Sequence, residues 1–327
     1  MNVQNTFLCA NPPSILLFSI RARVRHAYAA LYPYLRAQAR DTSLQPVELA
    51  LRLTLLSMLL RPIGAGLVRP CILGLAVAGL LLPGLLRQPG LWIALTFFTG
   101  VRVVLDWSLA DNHAYLLCYW CLAVSIALCS RDPSACLALN GRLLIGLAFV
   151  FATLWKVVLS PDYLDGRFFR ITMLTDPRFA EFAQLAGGLR SEQFEELRAF
   201  VKQHVDGQLF EPSFFPAAPP RFFLLATYMT WWTVAVEGAI ALTFLWPVGR
   251  GLSKVRDAIL LTFCVTTYAV ATVAGFGWLL LALGIAQCQP ERRTTQLFYL
   301  AVFVLLLFYR QVPWAMHLLE FTQTGEV

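Results

Sequence analysis

The chain has 327 residues, of which 58% are hydrophobic and only 14% charged, against about 25% charged in an ordinary soluble domain. A mean hydropathy of +0.64, with 24 Phe, 9 Trp and 10 Tyr, excludes a disordered chain and a typical soluble enzyme, because that much apolar surface must be covered by protein or by lipid. The formal charge of +7 collects in gaps between apolar runs and reads as membrane orientation, not as nucleic-acid binding.

Residues 1–43 form a basic N-terminal segment. Five arginines between Arg21 and Arg40, among Tyr28, Leu31, Tyr32 and Leu35, fit either a helix on an anionic membrane face or a solvated tail. No Lys or Arg precedes Ile15 to Ile20 and Pro12-Pro13 interrupts the segment, a poor match to a cleavable signal peptide. Eight apolar runs follow, at 44–60, 71–86, 91–107, 113–129, 142–160, 221–246, 257–286 and 296–312. Arg61-Pro62, Gln88-Pro89-Gly90, Asp132-Pro133, Ser160-Pro161, Trp246-Pro247 and Gln289-Pro290 punctuate them. The expected fold is therefore all-α: a polytopic transmembrane helical bundle of about eight spans over 44–312, followed by a short tail at 313–327.

With a cytoplasmic N-terminus, the inside gaps hold Arg87, Arg131, Arg142, Arg250, Lys254 and Arg256, with Arg310 at the last helix end, as the positive-inside rule asks. Arg61, Arg69, Arg292 and Arg293 fall in outside gaps. Both termini are then cytoplasmic, in a plasma or inner membrane. The segment 161–220 lies outside; Phe179, Phe182, Leu185, Phe194, Leu197 and Val201 give it amphipathic helical patterning that caps the bundle or lies at the interface.

Ionisable groups inside spans are costly and point to function. Lys156 lies near the end of the fifth run, His113 opens the fourth, Arg102 sits late in the third and Glu237 lies within the sixth. Glu48 with Arg52, and Arg102 with Asp106, are spaced to pair on one helix face. Runs four and five are antiparallel neighbours, so His113 and Lys156 share one end of the bundle. A desolvated lysine loses its proton readily and becomes a base or nucleophile, and a nearby histidine stabilises or relays charge. Against that stands the reading in which Lys156 snorkels to the interface and His113 anchors a helix end. Glu237 fits either a hydrogen bond within the bundle or a proton relay. Cys118 and Cys121 share one face of the fourth helix, where two thiols either pack in the core or exchange electrons with a quinone. His26, His204 and His317 lie outside the spans, and no metal-ligand spacing appears.

The stretch Asn112-His113-Ala114-Tyr115-Leu116, then a span, a gap, and Lys156 ahead of Pro161-Asp162-Tyr163-Leu164-Asp165-Gly166, resembles the core signature of the HTTM membrane domain shared with vitamin K-dependent gamma-carboxylases. Val236-Glu237-Gly238 and Gly275-Phe276 extend the resemblance over residues 45–310. It implies that Lys156 deprotonates a reduced, vitamin K-like quinone, that dioxygen adds, and that the resulting alkoxide removes a glutamate proton while His113 stabilises the charge. Asn112, Tyr115, Arg102, Asp106, Glu237 and Asp165 would then line a polar pocket. Tyr163 stands where the family carries tryptophan, and Thr266, Thr267 and Tyr268 where many members carry an aromatic-histidine pair. The chain runs only fifteen residues past Val312, with none of the large substrate-gripping region of the carboxylases, so it is not expected to carboxylate glutamate alone. The expected partners are membrane lipid and either a peptide substrate or a partner membrane protein. Two alternatives are a non-catalytic membrane component that helps mature or export a peptide, and a thiol–quinone oxidoreductase acting through Cys118 and Cys121.

Overall fold

The computed structural model describes residues 45–107, 110–205 and 218–311; the readings of 1–43, of 313–327 and of His26 and His317 lie outside the described residues. Every regular element among the described residues is helical. In chain order they are α1 (Pro46–Leu60), α2 (Val68–Leu81), α3 (Pro83–Leu86), α4 (Pro89–Leu105), α5 (Asn112–Leu128), α6 (Pro133–Leu154), α7 (Pro161–Leu164), α8 (Arg167–Thr175), α9 (Ala180–Gly187), α10 (Ser191–Val205), α11 (Pro220–Leu245), α12 (Arg256–Val270), α13 (Ala274–Ala286) and α14 (Arg293–Gln311). Proline opens α3, α4, α6, α7 and α11, where its missing N–H costs nothing. Asp132 caps α6 by accepting from the Ala135 N–H at 3.0 Å. A π-helical turn, Trp155–Leu159, continues α6.

The run expected as a single seventh span, 257–286, is two antiparallel helices. Gln287, just past the end of α13, donates to Asp257 in the first turn of α12 at 2.5 Å, so the two helices begin and end at the same level. The chain leaves helical geometry at Ala271 and Val273, within the β-branched stretch Val270-Ala-Thr272-Val273, and Thr272 Oγ1 turns back to the Tyr268 carbonyl at 2.7 Å. Branched side chains and a hydroxyl that competes for backbone carbonyls weaken a helix there. Neither glycine nor proline marks the break, which is why the sequence reads through it.

The hairpin places α13 at the centre, packed on by α1, α5, α6 and α14. Nearly all of it is buried, as expected of a helix apolar on every side. Small residues allow the close approach: a Cβ on Gly284 would stand 2.4 Å from the Tyr299 ring, and one on Gly277 2.6 Å from Leu306 and 2.7 Å from Tyr268. Across the bundle, Trp120 Nε1 donates to the Thr54 hydroxyl at 2.9 Å, tying α5 to α1.

The outward faces are apolar. Ile93 and Phe97 on α4, Tyr119, Leu122 and Ile126 on α5, Leu147 and Phe151 on α6, Tyr228, Trp231 and Leu242 on α11, and Phe298, Val304 and Phe308 on α14 are exposed. Among the described residues one helix, Pro133–Leu159, is long and apolar enough to cross a membrane, and only 17% of its most apolar window is buried within the protein. Other apolar helices, such as Val68–Leu81, Pro89–Leu105, Asn112–Leu128 and Ala274–Ala286, are shorter; 17 residues rise about 26 Å, somewhat less than the ~30 Å of hydrocarbon.

The segment expected to be an amphipathic cap folds as α7 to α10 around its own core, in which Phe179, Phe194, Leu197 and Val201 are buried as patterned and Phe182 and Leu185 half-buried. Phe222 and Ala226 of α11 belong to that core, while Val236, Ile240 and Phe244 of the same helix belong to the main one. The 26-residue α11 thus joins the cap to the bundle. Asp176 accepts from the Arg178 backbone N–H at 3.0 Å and from its guanidinium, which holds that carboxyl below the usual range.

Candidate functional site

Lys156 lies on the π-helical turn that ends α6. Such turns widen the helix, redirect side chains and recur at functional sites. Its ammonium donates to both carboxylate oxygens of Glu237 on α11, and the two side chains are only 15% and 10% exposed. The same ammonium lies 5.2 Å from the centroid of the Tyr163 ring, a cation–π distance. Tyr163 in turn shares a 2.6 Å hydrogen bond with Thr233, one turn before Glu237 on α11. Lysine, glutamate, tyrosine and threonine thus form one connected polar unit between α6, α7 and α11. Thr153 Oγ1, one turn before Lys156, is buried with no hydrogen-bond partner, as is the hydroxyl of the buried Tyr268, which lies within electrostatic reach of Glu237.

His113 sits at the same end of the bundle, in the first turn of α5, but no hydrogen bond or ion pair joins it to Lys156. Phe276 stands between α5 and α6, its ring centroid 6.5 Å from that of His113 and 6.2 Å from that of Phe149 on α6. The imidazole faces Asp111 at 3.4 Å, and Arg61 and Arg102 both act on it electrostatically. Arg102 pairs with Asp106 at 3.3 Å, as the spacing predicts. Arg61 packs over the start of α13, 3.1 Å from where a Gly275 Cβ would stand. This end therefore carries a histidine and two guanidinium groups as well as the lysine–glutamate pair.

The remaining sequence-predicted residues separate. Asn112 is exposed and Tyr115 half-buried. Asp165 is exposed and committed to a turn: it accepts from the Arg167 backbone at 2.9 Å and side chain at 2.6 Å, just before Gly166 at φ 81. Cys118 is half-buried with its thiol 3.7 Å from the Thr96 carbonyl, Cys121 is fully buried, and both are free thiols. Glu48 pairs with Arg52 at 2.6 Å as expected and also with Arg87 at 2.8 Å. Among the described residues no group of three or more His, Cys, Asp or Glu is arranged to hold a metal ion.

Sequence reasoning missed a second polar cluster at the other end of the bundle. There Asp257 accepts from Gln287 at 2.5 Å and from Tyr299 at 2.9 Å, with Arg292 at 3.8 Å. Asp257 opens an apolar run and so reads as an ordinary gap charge; only the hairpin brings Gln287 and Tyr299 to it. Comparison of the chain with family models, curated proteins and solved structures finds no match.

Proposed function

We propose that the chain is a multi-pass membrane enzyme that moves a proton at its His113 end, with Lys156 as the base and Glu237 as the group that exchanges a proton with it. The pairing of Lys156, on a π-helical turn, with Glu237 of α11 carries this reading. In a poorly solvated site the charged pair loses much of its advantage over the neutral one. Passage of one proton from Nζ to a Glu237 oxygen leaves a neutral amine beside a protonated carboxyl. That amine takes a hydroxyl proton from the substrate, becomes ammonium and leaves an oxyanion. The cationic groups Arg61 and Arg102, with His113, favour negative charge at this end. Phe276, half-buried at this end, offers an aromatic surface that suits a reduced quinone as the substrate class. The resemblance to the carboxylase membrane domain supports the same class, with dioxygen as co-reactant.

The test is oxygen uptake by purified protein in nanodiscs given a panel of reduced quinones. Lys156→Ala is expected to lower quinol-dependent uptake about 10²–10⁴-fold, the usual contribution of a positioned acid or base. Wild-type uptake in that variant, or none in folded wild-type protein, would overturn the reading.

The apolar outward faces of α4, α5, α6, α11 and α14 support nine membrane-crossing helices, since soluble surfaces rarely expose contiguous apolar area on that scale. With the hairpin, Arg292 and Arg293 join the end that holds Arg87, Arg131, Arg250 and Lys254, which sharpens the positive-inside bias and supports a cytoplasmic side for that end. Residues 46 and 311 then lie on opposite faces, in place of the shared cytoplasmic side expected from eight spans. Cysteines introduced as Gly249→Cys and Glu291→Cys are expected to react with an impermeant maleimide from the same face, read peptide by peptide in mass spectrometry. Labelling from opposite faces would restore the eight-span topology.

A further inference from the structure

Arg142 follows Gly141, which packs against the last turn of α13, and Arg256 opens α12, whose Asp257 bonds Gln287 just past that turn, so both arginines lie at the Asp257 end of the bundle, within electrostatic reach of each other. Neither has a hydrogen bond or ion pair to any described residue, although Arg142 Nε, Arg256 Nε and Arg256 Nη1 are all buried. Asp257, next to Arg256 in the chain, is engaged by Gln287, Tyr299 and Arg292. Both side chains are half-buried, but buried N–H donors without an acceptor, next to a like charge, are unfavourable. An anion between them would satisfy the donors and remove the repulsion.

We infer that Arg142 and Arg256 form a binding site for a phosphate oxyanion. The planar fork of a guanidinium matches the oxygens of a phosphate group. Gly141, next to Arg142, lets α6 lie against the last turn of α13, where a Cβ would stand 2.9 Å from the Leu283 carbonyl; that contact fixes Arg142 at the level of α12's first turn. Apolar surface borders the site: Leu139 lies one turn from Arg142 on the same helix, Val255 adjoins Arg256, and both are exposed. Acyl chains on that surface would leave a phospholipid headgroup at the arginines, a recurrent arrangement at the cytoplasmic ends of helices. A soluble phosphate presents the same oxygens without the chains.

Two arms separate the sources. In the first, detergent-purified protein is exposed to a mixture of phosphatidylglycerol and phosphatidylcholine, and retained lipid is read by native mass spectrometry. In the second, inorganic phosphate is titrated against the lipid-free protein and the shift in Tm is followed. Wild type is expected to retain phosphatidylglycerol preferentially, and R142Q/R256Q to lose at least roughly tenfold of that preference, since a hydrogen bond to a charged group contributes about 1.5–3 kcal/mol. A Tm shift with inorganic phosphate alone, absent in the double variant, would assign the site to a soluble phosphate. Should R142Q/R256Q not fold, R142K/R256K, which keeps both charges but not the forks, replaces it with the same expected weakening. No lipid preference and no phosphate shift in wild type, or an unchanged preference in the variants, would overturn the proposal.

Discussion

Glu237→Ala is expected to cost about 3–5 kcal/mol of stability, the usual penalty for removing one partner of a buried ion pair, and to lower the Tm accordingly. Lys156 would be left with its charge, a 15% exposed side chain and only the Tyr163 ring as a partner. Truncating both members should cost far less: in Lys156→Met/Glu237→Leu the desolvation penalty of two ions disappears with their attraction, and apolar replacements of buried pairs are often neutral. The double variant is therefore expected to recover most of the Tm while remaining inactive. Thermal unfolding of the four proteins in one detergent closes the cycle. If Glu237→Ala unfolds with wild type, Lys156 reaches water unaided and the snorkelling reading of that side chain is correct. If the double variant is no more stable than Glu237→Ala, the pair is not what holds these helix ends together.

The sequence makes the class of fold legible because composition and proline punctuation are strong signals. The apolar runs expected at 91–107 and 221–246 coincide with α4 and α11, whereas α6 starts at Pro133, nine residues before the run expected at 142, and the apolar positions Phe194, Leu197 and Val201 point inward in the cap. Local pairs one turn apart, Glu48–Arg52 and Arg102–Asp106, are equally legible, since helix geometry alone brings them together. What sequence cannot supply is long-range pairing. Lys156 and Glu237 are each visible as costly charges in apolar runs, but their contact spans 81 positions and depends on how α6 meets α11. Lys156 and His113 share an end as the antiparallel argument predicts, yet Phe276, from a helix not expected as a separate element, stands between α5 and α6. Asp165, which the resemblance adds to the pocket, is engaged by Arg167 beside the turn at Gly166, a local pairing that the resemblance does not foresee. The break at Ala271–Val273 was illegible because no residue there forbids a helix; tertiary packing of α13 against α1, α5, α6 and α14 decides it.

The hairpin has its own test at Asp257. One carboxylate oxygen of that side chain accepts from both Gln287 and Tyr299, joining α12, the end of α13 and α14 in a single buried contact. Asp257→Leu removes the acceptor and strands two buried donors, at about 1–3 kcal/mol each. Asp257→Asn keeps a carbonyl oxygen with two lone pairs and loses chiefly the attraction to Arg292, which is half-exposed at 3.8 Å and so contributes little. Asp257→Leu is therefore expected to lower the Tm by several degrees and Asp257→Asn to stay close to wild type. Hydrogen exchange should show the loss of protection in Asp257→Leu concentrated in α12, α13 and the first turns of α14, because opening the contact frees those helix ends first. Equal stability of the Leu variant and wild type would mean that Gln287 and Tyr299 find other acceptors, and that the packing of Gly277 and Gly284 against Tyr268, Tyr299 and Leu306 closes the hairpin without a polar clasp.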